Sequence, residues 1–274
     1  MAKLYIVGTP IGNLGDITLR ALETLKKVDY IACEDTRHSL ALLNRFEITK
    51  PLFACHEHNE KQAAEKICAL VLNGKEVALI TDAGMPSVSD PGANVVSMCR
   101  ENGIEVEVVP GPTALTTAIA LSGIQSKGFA FLGFMPSKSG DKVRFLSKYA
   151  TFNLPMVFYC APHDIISDAK IMLNVFGDRV VWVAKELTKI HESILKCSLA
   201  DFNIGEPKGE YVLIVDGCIE VNKLLELSEK EHLKYYLDNG KDEKNAVKMV
   251  ASERGISKNE IYQIALQMKN SSKN

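Results

Sequence analysis

Four ionisable residues, Glu34, Asp35, Arg37 and His38, follow directly on the apolar run 30–33. Burying charged side chains at the end of a strand costs desolvation free energy, so they are expected there mainly where they serve a function. Carboxylates in such a place can accept a proton or hold a polar ligand. Their position therefore favours a functional site. The alternative is a solvated loop in which Asp35 and Arg37 form an internal ion pair.

A second polar segment, His56-Glu57-His58-Asn59-Glu60, resembles a metal-binding cluster at first sight. It lacks the His-Glu-x-x-His spacing that places two imidazoles on one face of a helix. We therefore favour the wall of a polar cleft and expect no metal site, with metal binding by an extended segment as the alternative. The seven cysteines are odd in number and include no Cys-x-x-Cys pair, which fits free thiols in a reducing compartment.

Loops rich in glycine and proline follow three further apolar runs, at residues 8–16, 81–92 and 109–114. Glycine lets the backbone approach a ligand closely. Loop 8–16 has neither the Gly-x-Gly-x-x-Gly pattern nor a Walker sequence, so a plain strand-to-helix turn is the alternative for it. Together, the backbone groups of these loops could hold an adenosine, and their carbonyl and carboxylate groups would suit a sulfonium cation.

The elements that must position these loops are short apolar runs, which are typical of buried strands. They span residues 3–8, 30–34, 77–81, 106–109, 155–160, 180–184 and 210–215. Helical patterns separate the early runs, as in Leu19, Leu22, Leu25 and Val28. This alternation predicts an α/β fold with a largely parallel sheet. Because ligands of such sheets bind beyond the carboxyl ends of the strands, we expect the loops to line one cleft.

Two breaks divide the chain, at Pro110-Gly111-Pro112 and after the last apolar run. We expect two α/β lobes with a cofactor cleft between them and a small C-terminal helical appendage, at residues 1–112, 113–220 and 221–274. In the appendage, Gly255 can end one helix and Ser257-Lys258-Asn259-Glu260 forms a capping box for the next. These helices resemble a helix-turn-helix in outline, and a packing or dimer-stabilising appendage is the alternative.

Charge and hydropathy argue against a generally basic nucleic-acid-binding protein and against a membrane protein. The 274 residues carry a net charge of −2, so any RNA binding must come from a local patch or a shaped cleft. The sequence has no recognisable signal peptide and no apolar stretch of the roughly 18–20 residues that a membrane helix needs. We therefore expect a cytoplasmic protein without membrane contacts.

Several motifs resemble, in order along the chain, those of the ribosomal RNA small subunit methyltransferase I family, which belongs to the tetrapyrrole-methylase (class III) superfamily. They are Gly8-Thr-Pro-Ile-Gly-Asn-Leu-Gly-Asp, Cys33-Glu-Asp-Thr-Arg-His, His56-Glu-His-Asn-Glu, Asp82-Ala-Gly-Met-Pro-Ser-Val-Ser-Asp-Pro-Gly, Pro110-Gly-Pro-Thr-Ala, Gly133-Phe-Met-Pro, Lys185-Glu-Leu-Thr-Lys and Lys208-Gly-Glu. The resemblance covers residues 3–217. It implies that the protein uses S-adenosyl-L-methionine to methylate the 2′-oxygen of a cytidine ribose in the decoding region of small-subunit rRNA.

In-line methyl transfer requires alignment of sulfur, methyl and oxygen, and a nearby base helps because a neutral ribose hydroxyl is a poor nucleophile. The candidate catalytic residues are Glu57, Glu34 and Asp35. The candidate substrate-binding residues are Gly8, Thr9, Pro10, Gly12, Asn13, Arg37, His56, Asn59, Lys185 and Lys189, with Arg37, Lys185 and Lys189 expected to contact phosphate. The candidate cofactor-binding residues are Asp82, Ala83, Gly84, Met85, Pro86, Pro110, Gly111, Pro112, Thr113 and Ala114.

The chain departs from the family pattern in two places. The family commonly shows Tyr-Glu-Ser/Ala-Pro-His-Arg where this chain has Tyr159-Cys-Ala-Pro-His-Asp, and Lys185 stands where arginine is usual. Asp164 could orient the neighbouring His163 imidazole or occupy the N-cap of a helix.

We expect small-subunit rRNA as the partner, within an assembled subunit because the chain is nearly neutral, and a homodimer. Two alternatives remain open: a methylase of a small tetrapyrrole-like substrate, and a non-catalytic nucleic-acid-binding protein supported by the appendage alone. The Glu34–His38 and His56–Glu60 segments favour the RNA methyltransferase.

Overall fold

The computed structural model describes residues 2–218, 223–225 and 227–271. The chain divides into two compact units, Met1–Cys218 and Ile219–Asn274, and each has its own apolar core. All seven cysteines lie within the described residues and are free thiols, as their number and spacing predicted. Among the described helices, none combines the length and hydropathy needed to cross a lipid bilayer.

The amino-terminal part of the first unit is a parallel sheet covered by helices on both faces. Its strands are β1 (Leu4–Val7), β2 (Tyr30–Cys33), β3 (Leu52–Ala54), β4 (Val77–Ile80) and β5 (Val106–Val109), in the order β3-β2-β4-β1-β5. Its helices are α1 (Leu19–Lys27), α2 (Thr36–Arg45), α3 (Glu60–Leu72) and α4 (Ala93–Glu101). We refer to these strands as the first sheet.

Alternation along β1 shows how the layers form. Leu4 and Ile6 pack in the cluster that contains α3 and α4, whereas Tyr5 and Val7 pack in the cluster that contains α1 and α2. Successive strand side chains point to opposite faces, so a strand buried on both sides must be apolar throughout. This is why the run was recognisable in the sequence.

The second sheet, within residues 130–215, is mixed. Its strands are β6 (Ala130–Phe134), β7 (Met156–Cys160), β8 (Val180–Lys185), β9 (Ser193–Ser198) and β10 (Tyr211–Val215), in the order β6-β7-β10-β8-β9. Only β6 and β7 pair in parallel; the other neighbours are antiparallel. Helices α6 (Ser139–Ser147) and α7 (Ile165–Phe176) cover one face and α5 (Ala114–Ser122) covers the other. The expected α/β fold with two sheets and C-terminal helices is confirmed.

The expected boundary at residues 112 and 113 falls in the turn between β5 and α5. Helix α5 packs through Leu115, Ala118 and Ile119 against residues of the second sheet such as Trp182. The expected boundary at residues 220 and 221 lies outside the described residues.

The described part of the second unit contains helices α8 (Glu229–Asp238), α9 (Glu243–Arg254) and α10 (Lys258–Ser271). Gly255, with φ of 66°, ends α9 in the left-handed conformation that glycine adopts without strain. The predicted capping box is present, because the Glu260 N–H donates to Ser257 Oγ at 3.2 Å and the Ser257 N–H donates to Glu260 Oε2 at 3.3 Å.

A fully buried histidine lies in the core of this helical unit. Arg254 Nε donates to His232 Nδ1 at 3.1 Å, so the ring proton is on Nε2, which lies 3.0 Å from Glu253 Oε2. Burial lowers the pKa of His232; the Glu253 carboxylate opposes part of this effect, and the Arg254 cation adds to it. The imidazole is therefore neutral in the folded unit.

This arrangement predicts a pH-dependent stability of the helical unit. Below about pH 6.5 the unfolded histidine takes up a proton that the folded one resists, so stability is complete above that pH and falls below it. Hydrogen-exchange protection of α8 to α10 should therefore fall between pH 7.5 and pH 5.5, after correction for intrinsic exchange. The His232→Gln variant should lose most of this dependence, and the exposed-site control His163→Gln should keep it. Equal loss of protection in the wild type and His232→Gln would refute this role.

Candidate functional site

A cavity of about 370 Å³ lies within the first unit, between the carboxyl edge of the first sheet and the second sheet. The first sheet contributes the loop after β4, and the start of α5 adds Thr113 and Ala114. The second sheet contributes the ends of β6 and β7 and the start of β10. The lining residues are Ile11, Ala83, Gly84, Met85, Val88, Ser89, Asp90, Thr113, Ala114, Phe134, Tyr159, Cys160, Ala161, Pro162, Leu187, Glu210, Tyr211 and Val212.

The loop after β1 is joined to the loop after β4 by backbone hydrogen bonds. The Thr9 N–H donates to the Gly84 carbonyl at 2.9 Å, and the Gly84 N–H donates to the Thr9 carbonyl at 3.1 Å. The Thr9 hydroxyl is fully buried and donates to the Thr81 carbonyl at 3.1 Å. Pro10 is also buried. This part of the loop after β1 therefore fixes the position of the loop after β4.

The same loop approaches the loop after β5 so closely that only glycine fits. A Cβ atom on Gly8 would lie 2.7 Å from Gly111 Cα and 2.6 Å from Met85 Sδ. A Cβ atom on Gly111 would in turn lie 2.9 Å from Gly8 Cα. The two glycines allow backbone to pack on backbone, which brings the loops after β1, β4 and β5 together.

Beyond this point the loop reaches the second sheet. Ile11 is buried in a cluster with Leu187 and Trp182, and a Cβ atom on Gly12 would lie 2.6 Å from Lys189 Cγ. Gly12 and Asn13 themselves are exposed. The loop therefore bridges the two sheets and leaves its tip open to solvent.

The predicted acids after β2 lie in different environments. Asp35 caps α2 and pairs with Arg37, whose Nη2 lies 2.9 Å from Asp35 Oδ2. The hydrogen bonds from Arg37 lower the pKa of Asp35 to about 2. The structure thus contains the internal ion pair that was the alternative for this loop. The Arg37 side chain is 90% exposed and remains accessible to a partner.

Glu34 is half-buried. Burial raises the pKa of its carboxyl group, and the charge of Asp82 adds to this effect. Asp82 Oδ1 in turn accepts the N–H of Asp35 at 3.1 Å. The ends of β2 and β4 therefore bring these carboxylates to one edge, as the parallel order predicts.

The segment after β3 forms a tight turn into α3. Asn59 Oδ1 accepts the His56 N–H at 2.8 Å, and Asn59 Nδ2 donates to the Ala54 carbonyl at 3.1 Å. Glu57 and His58 are exposed, and the His56 and His58 ring centroids are 6.0 Å apart. Within the described residues, no group of three or more His, Cys, Asp or Glu side chains could hold a metal ion.

The predicted lysines of the second sheet are engaged with neighbouring side chains. Lys189 Nζ lies 2.9 Å from both Glu186 Oε1 and Glu210 Oε2, and Lys185 Nζ lies 5.7 Å from the Tyr211 ring centroid.

Strained backbone flanks the cavity on both sides. Ser87 and Ser89 on one wall have φ of 70° and 65°, and Glu186 and Thr188 on the other have φ of 50° and 67°. Such conformations are costly for residues with a side chain and cluster at functional sites.

Comparison with known proteins identifies the family. The model of the tetrapyrrole (corrin/porphyrin) methylases matches residues 3–203. The ribosomal RNA small subunit methyltransferase I of Thermotoga maritima is 44% identical over 79% of this chain and 99% of its own length. That of Vibrio cholerae is 41% identical over 96% and 94%, and that of Bacillus subtilis is 38% identical over 96% and 93%. The chain belongs to the ribosomal RNA small subunit methyltransferase I family.

Solved structures agree on the fold. The methyltransferase CobJ matches 80% of this chain and 95% of its own with a TM-score of 0.62 and 17% identity. Diphthine synthase matches 79% and 90% with a TM-score of 0.61 and 14% identity. At these identities the likeness shows the fold alone. The tetrapyrrole-methylase fold predicted from the motifs is confirmed.

Within this family fold, sequence reasoning missed several polar groups of the cavity wall, including Asp90 and Tyr159. Burial, together with the charges of Glu34 and Asp82, raises the pKa of Asp90 to about 7. Tyr159 accepts the Leu115 N–H at 3.2 Å through its hydroxyl group. Both residues stand in quoted motifs, but nothing in the sequence distinguishes Asp90 from Asp82. Asp90 lines the cavity and Asp82 does not, and the cavity depends on the second sheet, whose Gly133 lies close to Ser89.

One departure from the family pattern, Cys160, lines this wall, and another, Asp164, follows it four residues later. Cys160 is buried, and burial raises the pKa of its thiol, which is therefore neutral. Asp164 stands at the N-cap of α7 but makes no side-chain cap hydrogen bond. Its carboxylate lies 3.5 Å from His163 Nε2 and 3.3 Å from Lys142 Nζ instead.

The close approach of the loops predicts a specific stability defect. Gly8→Ala places a Cβ atom inside contact distance of Gly111 and Met85, so the free energy of unfolding should fall by about 1–3 kcal/mol. The matched control is Gly140→Ala in α6, where a Cβ atom meets nothing within 4 Å. Urea unfolding of both variants measures the difference. Equal midpoints would show that the loops can separate without cost.

Proposed function

We propose that this protein uses S-adenosyl-L-methionine to methylate the 2′-oxygen of a cytidine ribose in the decoding region of small-subunit rRNA. The observation that carries the proposal is the cavity at the carboxyl edge of the first sheet, formed by the motifs that characterise the family. Its volume of about 370 Å³ and its few polar groups suit a nucleoside-sized ligand. The names of the relatives support the RNA substrate.

The residues of the cavity suit this cofactor. Ala83, Gly84 and Ala114 present backbone groups to an adenosine, and Met85 adds an apolar surface. When bound, S-adenosyl-L-methionine supplies an electrophilic methyl group on a positively charged sulfur. The carboxylates of Glu34 and Asp90 are half-buried and lie near that of Asp82, and this concentration of negative charge favours a cation. Thr113 also lines the cavity. The remaining predicted cofactor residues, Asp82, Pro86 and Pro110–Pro112, belong to the same loops and would hold them in place.

Arg37 is our leading candidate for a phosphate contact. Its guanidinium group is exposed beside the cleft edge, and Asp35 holds it from one side only. Lys189 is bonded to two glutamates and Lys185 lies over an aromatic ring, so each would exchange an existing contact for RNA. Gly12 and Asn13 at the loop tip, with His56 and Asn59 after β3, complete the proposed substrate side.

The proton acceptor must be unprotonated near neutral pH and still basic enough to help a hydroxyl group. Asp35 is too weak a base, since Arg37 holds its pKa near 2. Glu34 is more basic than usual, and Glu57 is exposed. Asp90 meets the requirement best, because its pKa is about 7 and it lines the cavity.

This assignment predicts a pH profile. Asp90 is protonated below its raised pKa, so the turnover rate should increase up to about pH 7 and then level off. Asp90→Asn should lower kcat by roughly 10²-fold or more and remove this inflection. Glu34→Gln and Glu57→Gln, measured in parallel, should keep it. An inflection that persists in Asp90→Asn and disappears in one of the other two would assign the base to that residue.

The activity itself is tested with purified protein in two steps. Calorimetry should show binding of S-adenosyl-L-methionine. Mapping of ribose methylation should then show one new modified cytidine in small subunits taken from cells that lack the gene. Assembled subunits should be better substrates than naked rRNA, because a nearly neutral protein relies on shape more than on bulk phosphate attraction.

The other functional classes give different results in these experiments. Methyl transfer to a porphyrin-like compound and none to rRNA would point to a small-molecule methylase. Absence of cofactor binding would point to a nucleic-acid-binding protein. The homodimer and the cytoplasmic location stay predictions from the sequence.

A further inference from the structure

Lys142 is a buried cation that has no part in the proposed binding of cofactor or RNA or in the proposed proton transfer. Its side chain is 4% exposed, and its Nζ lies 2.6 Å from Asp168 Oδ1 and 3.3 Å from Asp164 Oδ1. Burial alone would lower the pKa of Lys142, but the two carboxylates outweigh it and raise the pKa above its usual value. An ammonium group therefore stands between two acids, one of which, Asp168, is equally buried.

Both acids lie close in the chain to the wall of the cavity without lining it themselves. Asp164 and Asp168 stand at the start of α7, directly after the cavity-lining residues Cys160, Ala161 and Pro162. The N–H groups of Asp164 and Ile165 both donate to the Ala161 carbonyl at 3.1 Å. Any movement of the first turn of α7 is thus transmitted to residues that line the cavity.

Lys142 lies on the helix that follows another part of the cavity wall. It lies in α6, which follows β6 after the short connection 135–138, and Phe134 at the end of β6 lines the cavity. The Lys142 N–H donates to the Lys138 carbonyl at 2.9 Å, which ties the lysine to the first turn of α6. One side chain therefore joins the two connections that leave β6 and β7.

We propose that Lys142 is a positioning residue for the methyl donor: by binding Asp164 and Asp168 it holds the Cys160–Pro162 wall against the Phe134 wall and sets the width of the cavity. The inference rests on the proposed function, because it takes the ligand of the cavity to be the methyl donor. Without the ammonium group, the ion pairs that join α6 to α7 are lost and the buried Asp168 is left without its cation. The first turn of α7 then moves away from α6, and the cavity loses its shape.

A purely structural role would lower the stability of the fold without a selective effect on the ligand. The positioning role predicts that loss of Lys142 weakens binding of the cofactor and leaves the KM for the RNA substrate nearly unchanged. S-adenosylhomocysteine, used as the calorimetric probe, should bind Lys142→Met about tenfold more weakly than the wild type. The KM for assembled small subunits should stay within about twofold, because the proposed RNA contacts lie on other loops.

Three further variants make the test specific. Lys142→Arg keeps the charge and should restore most of the affinity. Lys148→Met, an exposed site at the end of the same helix, should behave as the wild type. If Lys142→Met does not fold, Lys142→Met with Asp168→Leu removes one of the unpaired acids and should fold, yet still bind the probe weakly because Asp164 is not held.

Hydrogen exchange of the ligand-free protein tests directly whether Lys142 holds the first turn of α7. Hydrogen exchange at the amides of Asp164 and Ile165 should be faster in Lys142→Met than in Lys148→Met. Wild-type affinity and wild-type exchange in a folded Lys142 variant would overturn the inference and leave the proposed function intact. Failure of the wild type itself to bind S-adenosylhomocysteine or S-adenosyl-L-methionine would overturn the proposed function, and the inference with it.

Discussion

The loop after β1 contacts the loops after β4 and β5 through backbone atoms, and the rest of the site depends on this contact. Gly8 and Gly111 pack Cα against Cα, and Thr9 and Gly84 exchange backbone hydrogen bonds. A side chain at either glycine would push the loops apart by more than a small adjustment can absorb. This contact fixes the start of the loop after β1. The next residues of the loop extend to the second sheet, where Ile11 is buried.

The same edge of the sheet shows how one side-chain type acquires opposite properties. Asp35 and Asp90 carry the same carboxyl group, but hydrogen bonds from Arg37 lower the pKa of Asp35 to about 2, whereas burial raises that of Asp90 to about 7. The first arrangement suits an ion pair that orders a helix start. The second provides a group that can gain or lose a proton near neutral pH, which general base catalysis requires.

Burial also decides which strands could be predicted from the sequence. Strands buried on both faces, such as β1 and β4, are continuous apolar runs and were recognised. Within the described residues, β3, β6 and β9 were missed, and each is an edge strand with partly exposed residues. β3 has only three residues, a glycine interrupts β6, and β9 mixes polar with apolar residues, so none of them forms a long continuous apolar run.

The site was predictable to the extent that it follows from strand order. Loops after parallel strands meet at one edge, and this alone placed Glu34 near Asp82. The place of Asp90 in the cavity wall was not predictable, because the cavity forms only where the loop after β4 meets the second sheet, which contributes Tyr159 from β7. The Asp35–Arg37 pair is local, and for that reason the sequence already contained it as an alternative.

The two sheets contribute different chemistry to the cavity. The first sheet supplies backbone groups and the Asp90 carboxylate, and the second supplies a largely apolar and aromatic wall that also contains Glu210. The buried ammonium group of Lys142 binds the start of α7, which follows this wall. This division explains how the wall accepts the departures from the family pattern. An acid at position 160 together with Asp164 and Asp168 would gather three carboxylates around one ammonium group, which burial makes costly. The neutral thiol of Cys160 avoids that excess, and Lys142 then balances the acid that this chain carries at position 164.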